Sequence, residues 1–200
     1  MNRLIIIGAG GHGRVVADIA SLRGYTDIVF LDADASKACC GPWPVVGTDD
    51  MAGSMDGDLF VAIGSAQHRS ALMQRFSGRR FPTLIHPAAT VAAGVGIGDG
   101  TVVMAGAVIN PGASIGRGVI INTSSSVDHD CAVHDYAHIT VGAHLCGSVT
   151  VGEGTWVGAG AIVSNNLSIC AGCTLGAGTV VVRSIAQPGT YIGVPARKIK

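Results

Sequence analysis

The 200-residue chain has no excess of charge of either sign. Its 13 Lys and Arg balance 13 Asp and Glu, so the formal net charge is zero. Without a net positive charge there is no electrostatic case for nucleic-acid binding, and we expect none. The chain also lacks the run of about 18 apolar residues that a membrane-spanning helix needs, and it lacks a signal-peptide cleavage pattern. These absences predict a soluble, cytoplasmic protein without membrane contact.

The six cysteines form neither a disulfide framework nor a zinc pattern. Cys170 and Cys173 make a C-x-x-C, but no second pair follows that could complete a zinc site. Cys39 and Cys40 are adjacent in a predicted loop, where vicinal cysteines rarely bridge. We therefore expect no structural disulfide, no metal and no redox cofactor.

What the chain does have is a period of six. Seventeen consecutive positions spaced by six carry Ile, Val or Leu: Ile85, Val91, Ile97, Val103, Ile109, Ile115, Ile121, Val127, Val133, Ile139, Leu145, Val151, Val157, Val163, Ile169, Leu175 and Val181. Neither a helix nor an isolated strand has this period. A hexapeptide β-solenoid does, with three hexads to a coil of 18 residues. Small residues recur four positions after each aliphatic, as expected for the inner corners of a triangular prism.

Glycine often follows the aliphatic residue directly, for example at Gly98, Gly116 and Gly152. We expect a tight corner there, one that either leaves no room for a side chain or requires a positive φ. The predicted fold of residues 83–200 is therefore an all-β parallel β-helix.

The first 82 residues predict a different, α/β domain. An apolar run at 4–7 leads into the glycine-rich segment Gly8–Gly13, then a helix whose apolar face includes Val15, Val16, Ile19 and Leu22. Further strands at 28–31 and 59–63 and a helix after Ser65 complete a half-Rossmann unit, with residues 36–58 irregular. Glycines let backbone N–H groups approach a phosphate at a helix N-terminus. Asp32, at a strand end, can bond ribose or sugar hydroxyls. About 80 residues hold only one mononucleotide-binding half, which favours a nucleotide-linked substrate over NAD. A glycine turn with a purely structural role is the other alternative.

Three of the seven histidines cluster between His129 and His138. The hexad phase points His129 and Asp130 outward, and the 18-residue coil stacks Gly147 on His129 and Pro111 beneath it. A histidine beside a carboxylate is a plausible general base near neutral pH. The solvated polar side of a solenoid is the alternative, and it applies most to His134.

Several segments together resemble a known family. They are Gly8–Gly13, Asn122–Ser125, His129–Cys131, Val141–Ala143, Ser164–Asn166 and Gly193–Arg197. The chain resembles, over nearly its whole length, the bacterial nucleotide-aminosugar N-acetyltransferases and the related sialic acid O-acetyltransferases, which are left-handed β-helix enzymes.

The resemblance implies a homotrimer with acetyl-CoA between adjacent β-helices. It implies His129 as general base oriented by Asp130, where some relatives have Glu. It also implies that acetyl-CoA is contacted by His138, Gly147, Ala159 and Ala177. The nucleotide sugar is implied to contact Gly10, Gly11, His12, Asp32, Ala33 and Gly64.

The expected reaction is acetyl transfer from acetyl-CoA to the amine of a UDP-, GDP- or dTDP-linked amino sugar. His129 takes the proton as the amine attacks the thioester directly, and a backbone N–H near Gly147 holds the oxyanion. Two alternatives stay open, namely O-acetylation of a sialic acid or other sugar hydroxyl, and a non-catalytic trimeric scaffold that binds a sugar nucleotide.

Overall fold

The computed structural model describes residues 2–199, which divide into two compact units on either side of the Pro87–Ala88 bond. None of the helices in this range is long and apolar enough to cross a membrane. The expected functional boundary between residues 82 and 83 stays a prediction.

The N-terminal unit is a five-stranded sheet with two α-helices. Its elements are β1 (Arg3–Ile7), α1 (Gly11–Leu22), β2 (Asp27–Leu31), β3 (Cys39–Cys40), β4 (Trp43–Gly47), a 3-10 helix (Asp49–Gly53), β5 (Asp58–Val61) and α2 (Ala66–Arg75), followed by a short strand, Leu84–Ile85. The strand order is β3-β4-β2-β1-β5, with β1 parallel to both β2 and β5. The apolar run of β1 is central and fully buried, as a parallel strand covered on both faces requires.

Two expectations for this unit need correction. Helix α1 buries Val16 and Ile19, but Val15 and Leu22 are 43% and 53% exposed. Its buried face is completed by small residues instead, since Gly13, Ala17 and Ala20 lie close to the sheet. Residues 36–58, expected to be irregular, contain β3, β4 and the 3-10 helix. A two-residue strand paired with a proline-containing strand has no hydrophobic period for sequence analysis to detect.

The C-terminal unit is the predicted solenoid, a parallel β-helix with three sides. The first side contains Thr90–Val91, Val108–Ile109, Ser126–Val127, His144–Leu145, Ile162–Val163 and Val180–Val181. The second contains Gly96–Ile97, Ser114–Ile115, Ala132–Val133, Thr150–Val151 and Ser168–Ile169. The third contains Val102–Val103, Ile120–Ile121, His138–Ile139, Trp156–Val157, Cys173–Leu175, Gly189–Ile192 and Arg197–Lys198, the last strand antiparallel.

Coils stack in the register that the period predicts. Ser126 pairs with Val108 and with His144, one coil of 18 residues before and after. The aliphatic column is buried from Val103 onward, and so are most of the small residues of the second column. The core of the prism is therefore a stack of aliphatic side chains, closed at the corners by Ala, Ser, Thr and Cys.

Glycine at the corners was expected either because no side chain fits or because φ is positive, and the structure distinguishes between these two reasons. At Gly98 a Cβ would lie 2.5 Å from the Arg117 nitrogen of the next coil, although the backbone of Gly98 is ordinary. Positive φ occurs two residues later in the hexad, usually at glycine but also at Asp130, with φ of 58°. The glycine after the aliphatic residue is thus required by close packing of coils, and the left-handed conformation belongs to the following corner position.

Candidate active site

His129 and Asp130 lie together at the corner between the first and second sides. His129 Nδ1 is 2.8 Å from Asp130 Oδ2, and both side chains are exposed. The left-handed backbone of Asp130 is imposed by the coil, because other residues at the same hexad position share it. Aspartate tolerates this conformation better than most residues. The corner therefore holds the carboxylate beside the imidazole and leaves Nε2 on the far side of the ring.

Gly147 supplies the space that the ring occupies. A Cβ on Gly147 would lie 2.6 Å from both Cε1 and Nε2 of His129. The coil below provides similar room, because a Cβ on Gly112 would overlap Asp130 Oδ1. Among residues 2–199, no acceptor bonds the Gly147 N–H, whereas its carbonyl accepts from Asn166 at 3.0 Å. The stacking predicted from the 18-residue coil is present, with an open backbone donor beside the imidazole.

A second carboxylate was not anticipated as part of this site. Asp128 Oδ1 accepts the His129 backbone N–H at 2.8 Å and the Asn110 side-chain amide at 2.8 Å. The hydrogen bond to Asp130 and the negative charge of Asp128 raise the pKa of His129 above its ordinary value. The sequence could have indicated the contact between Asn110 and Asp128 only through their spacing, since Asn110 lies one coil before Asp128.

His138 lies on the third side and is 7% exposed, although it projects away from the prism axis. Its Nε2 is 3.0 Å from the Asn122 side-chain nitrogen, so it accepts the amide proton and the ring proton lies on Nδ1. Its ring packs on Trp156 with centroids 4.5 Å apart. Trp156 was missed by sequence analysis, although it occupies the same outward position one coil later.

Ala159 and Ala177 occupy equivalent corner positions on neighbouring coils. Both are exposed, and the Gly178 N–H donates to the Ala159 carbonyl at 2.8 Å. Both alanines therefore lie on the surface of the same corner.

In the N-terminal unit, two glycines of the glycine-rich loop are required by close packing, and two others have space around them. A Cβ on Gly8 would lie 2.7 Å from the Ala62 carbonyl, and one on Gly13 would overlap the Gly8 carbonyl. Gly10 and Gly11 have nothing within 4 Å of such a Cβ. Because α1 starts at Gly11, these two positions expose a helix N-terminus that suits a phosphate group.

Asp32 anchors this loop. Its Oδ2 accepts the Ala9 N–H at 2.7 Å and Lys37 Nζ at 2.9 Å, and its Oδ1 accepts the Asp34 N–H at 2.9 Å. Burial raises the pKa of Asp32, but these hydrogen bonds outweigh it and the net shift is downward. The carboxylate is therefore ionised and already engaged, so a ribose hydroxyl would have to share it with Lys37.

A buried arginine, also missed, organises the next loop. Arg69 is 1% exposed and donates to the carbonyls of Ile63 and Gly64 at 2.7 and 3.0 Å. Burial and the charge of Arg69 lower the pKa of His12 to about 4. His12 is therefore neutral at physiological pH.

A cavity of about 520 Å³ opens at the carboxyl ends of β1, β2 and β5. Most of its lining is apolar, with a few charged or polar side chains. The lining residues are Ile7, Gly8, Asp32, Ala33, Asp49, Ile63, His68, Ala71, Leu72 and Arg75. The sequence predicted Asp32 and Ala33 at this site but not Asp49, His68 or Arg75.

In the first unit, the hydrogen bond from Ala9 joins the glycine loop to Asp32, and Gly64 lies in the loop that Arg69 holds. In the second unit, His129, Asp130 and Gly147 lie together, whereas His138 lies on the third side and Ala159 and Ala177 lie at the corner after that side. Within residues 2–199 there is no group of three or more His, Cys, Asp or Glu side chains that could hold a metal ion.

Comparison with known proteins finds relatives of this chain. Residues 3–76 match the family described as the PglD N-terminal domain. A UDP-N-acetylbacillosamine N-acetyltransferase from Bacillus subtilis (strain 168) is 38% identical over 113 residues, which are 52% of this chain and 52% of that relative. The match therefore spans about half the length of this curated relative.

Solved structures match over the full chain. The acetyltransferase domain of PglB from Neisseria gonorrhoeae FA1090, in complex with acetyl coenzyme A, is 41% identical with a TM-score of 0.96, and both chains are covered to 100%. PerB from Caulobacter crescentus, in complex with CoA and GDP-perosamine, is 37% identical with a TM-score of 0.93, covering 100% of this chain and 98% of PerB. By this identity and coverage, the chain belongs to the nucleotide-aminosugar N-acetyltransferase family of hexapeptide-repeat acyltransferases with a left-handed β-helix.

Proposed function

We propose that the protein transfers the acetyl group of acetyl-CoA to the amine of a nucleotide-linked amino sugar. The observation that carries this proposal is the His129–Asp130 pair at 2.8 Å, set over Gly147 with an open backbone N–H beside it. The relatives support the chemistry, since one is bound to acetyl coenzyme A and another to CoA and GDP-perosamine. Because both substrates are cytoplasmic metabolites, the proposal includes a cytoplasmic location.

His129 acts as the general base through Nε2. Since Nδ1 faces the Asp130 carboxylate, it keeps its proton and leaves the Nε2 lone pair free. The neutral sugar amine attacks the thioester carbon, and Nε2 takes the amine proton as the C–N bond forms. The tetrahedral intermediate then breaks its C–S bond, and the imidazolium returns the proton to the CoA sulfur. No covalent enzyme intermediate is needed.

The Gly147 N–H supplies the donor for the oxyanion. A donor fixed in the backbone needs no reorganisation when negative charge develops on the thioester oxygen. We assign His138 to the thioester end of acetyl-CoA, with its Nδ1 proton set by the Asn122 contact at 3.0 Å. Ala159 and Ala177 provide backbone contacts for the same cofactor.

The N-terminal unit binds the nucleotide. Gly10 and Gly11 receive the diphosphate at the start of α1, His12 contributes a neutral imidazole, and Asp32, Ala33 and Gly64 hold the nucleoside. We also propose a homotrimer, because a cyclic assembly places acetyl-CoA in three equivalent grooves between β-helices. A molar mass near that of one chain by light scattering would contradict the trimer.

The test is a thiol-release assay with acetyl-CoA and a panel of acceptors. UDP-, GDP- and dTDP-linked 4-amino sugars compete with sialic acid and CMP-sialic acid. We expect the fastest CoA release with one of the amino sugars. Faster acetylation of the sialic acid compounds would replace the proposal with O-acetyl transfer, and no release with any acceptor would favour a binding scaffold.

A further inference from the structure

The cavity in the N-terminal unit has the location that a nucleobase needs. It is lined by the end of β1 and the first glycine of the loop, by Asp32 and Ala33 after β2, and by the helix that follows β5. In half-Rossmann units a ligand lies outside the carboxyl ends of the strands, with phosphate at the glycine loop and ribose at the acidic residue. The base then continues into the next space, and here that space is a cavity of about 520 Å³.

The walls of the cavity are mainly apolar. Helix α2 presents His68, Ala71 and Leu72 on one side, and Ala33 and Ile63 line another part. Apolar walls with a few polar groups are typical of small-molecule sites, in which the polar groups determine orientation and specificity.

Two charged residues of the lining, Asp49 and Arg75, form an ion pair. Arg75, in the last turn of α2, lies 3.2 Å from Asp49 Oδ2 and 2.6 Å from Asp50 Oδ1. Asp49 lines the cavity and its side chain is 29% exposed, whereas Asp50 is 76% exposed and lies outside the lining. Among the described residues, Arg75 is the one side-chain donor to Asp49 and it uses Oδ2. Oδ1 and the remaining guanidinium N–H groups can therefore meet a ligand.

We propose that this cavity takes the nucleobase of the sugar nucleotide and that Asp49 and Arg75 read the hydrogen-bonding edge of the base. The carboxylate accepts a base N–H, and the guanidinium donates to the neighbouring carbonyl oxygen or ring nitrogen. Since the spacing of donor and acceptor differs between bases, this pair selects the nucleotide. The inference rests on the proposed function, because it presumes that the N-terminal unit binds a nucleotide.

The chain offers a matched pair of variants for the test. Asp49→Asn and Asp50→Asn each remove one ion pair of Arg75, but only the first changes the cavity. Calorimetry measures the affinities of UDP, GDP, dTDP, CDP and ADP for the wild type and both variants. We expect the wild type to prefer one of them. Asp49→Asn should reduce that preference by roughly 10- to 100-fold, the range of a hydrogen bond to a charged group, and Asp50→Asn should keep it. Thermal unfolding of both variants checks that they are folded.

The outcomes separate the two claims. An unchanged order and ratio of affinities in Asp49→Asn overturns the base-reading role and leaves the transferase proposal intact. Altered affinity for the complete nucleotide sugar, with unaltered affinity for every nucleoside diphosphate, means that the cavity holds the sugar and also overturns the inference. If the wild type binds none of the five nucleotides, nucleotide binding itself is refuted.

Discussion

Replacing Gly147 with Ala tests the geometry of the active-site corner with a single methyl group. The added Cβ would lie 2.6 Å from Cε1 and Nε2 of His129, whereas ordinary contact begins at 3.4 Å. Gly147 has an ordinary φ, so alanine introduces no backbone strain. The exposed imidazole can turn away, so the fold is expected to survive while the base is displaced by about 1 Å. A displacement of that size costs on the order of 10²-fold in rate.

The assay is steady-state CoA release with acetyl-CoA and the best amino-sugar acceptor, beside thermal unfolding. Gly96→Ala is the matched control, because Gly96 also has an ordinary φ in the solenoid and nothing lies within 4 Å of its built Cβ. We expect kcat to fall by about 10²-fold in Gly147→Ala and to stay at the wild-type value in Gly96→Ala, with both proteins folded.

The same substitution in a His129→Ala background shows whether the loss of kcat comes from displacement of the imidazole. If the methyl group acts only by moving the imidazole, adding Gly147→Ala to His129→Ala should produce no further loss, since residues that act as a unit are not additive. Wild-type kcat in Gly147→Ala, or the same fold loss in both backgrounds, would refute the reasoning. The second result would mean that the loss of kcat comes from a change at the Gly147 N–H and not from displacement of His129.

Three further perturbations test the remaining assignments. His129→Ala should lower kcat by about 10²–10⁴-fold, the range of a general base, with acetyl-CoA binding kept; near-wild-type turnover at neutral pH would remove it from the mechanism. Because the pKa of His129 is raised and only its neutral form is active, the acid limb of kcat/KM should lie above pH 6.5 and shift to lower pH in Asp130→Asn; a limb that does not move would exclude Asp130 from setting that pKa. His138→Ala should raise the KM for acetyl-CoA more than that for the acceptor, and unchanged values of both KM and kcat would contradict its contact with the thioester.

The fold was largely predictable because its rules are local and repeated. The period of six determines the direction of every side chain in the prism, and the run at 4–7 followed by glycines specifies a strand, a turn and a helix. The hairpin at Cys39–Gly47 was not predictable in the same way. Strand β4 depends on pairing with β2, and β3 pairs with β4, so no short-range pattern in the sequence reports either strand.

The geometry of the candidate site was predictable where the hexad phase or a motif determined it. It was not predictable where contacts cross between coils or elements. The His129–Asp130 pair and the stacking of Gly147 follow from the 18-residue coil. The same 18-residue spacing relates Asn110 to Asp128 and Trp156 to His138. Sequence analysis did not apply it there, because Asn110 and Trp156 are not themselves acid, base or nucleophile. Arg69 gave no signal, because its role depends on complete burial against two carbonyl groups.

The stacking of equal coils makes the solenoid a molecular ruler. Neighbouring strands in a sheet lie about 4.8 Å apart, so a prism of this kind lengthens or shortens only in steps of that size. A change of chain length other than a whole coil would misalign every later side chain, unless it bulged out at a corner. His129 and Gly147 lie on adjacent coils, whereas Ala159 and Ala177 mark the next steps along the chain. Gain or loss of one 18-residue segment beyond Gly147 would therefore change the length of the proposed cofactor groove by one step and leave His129 and Gly147 in place.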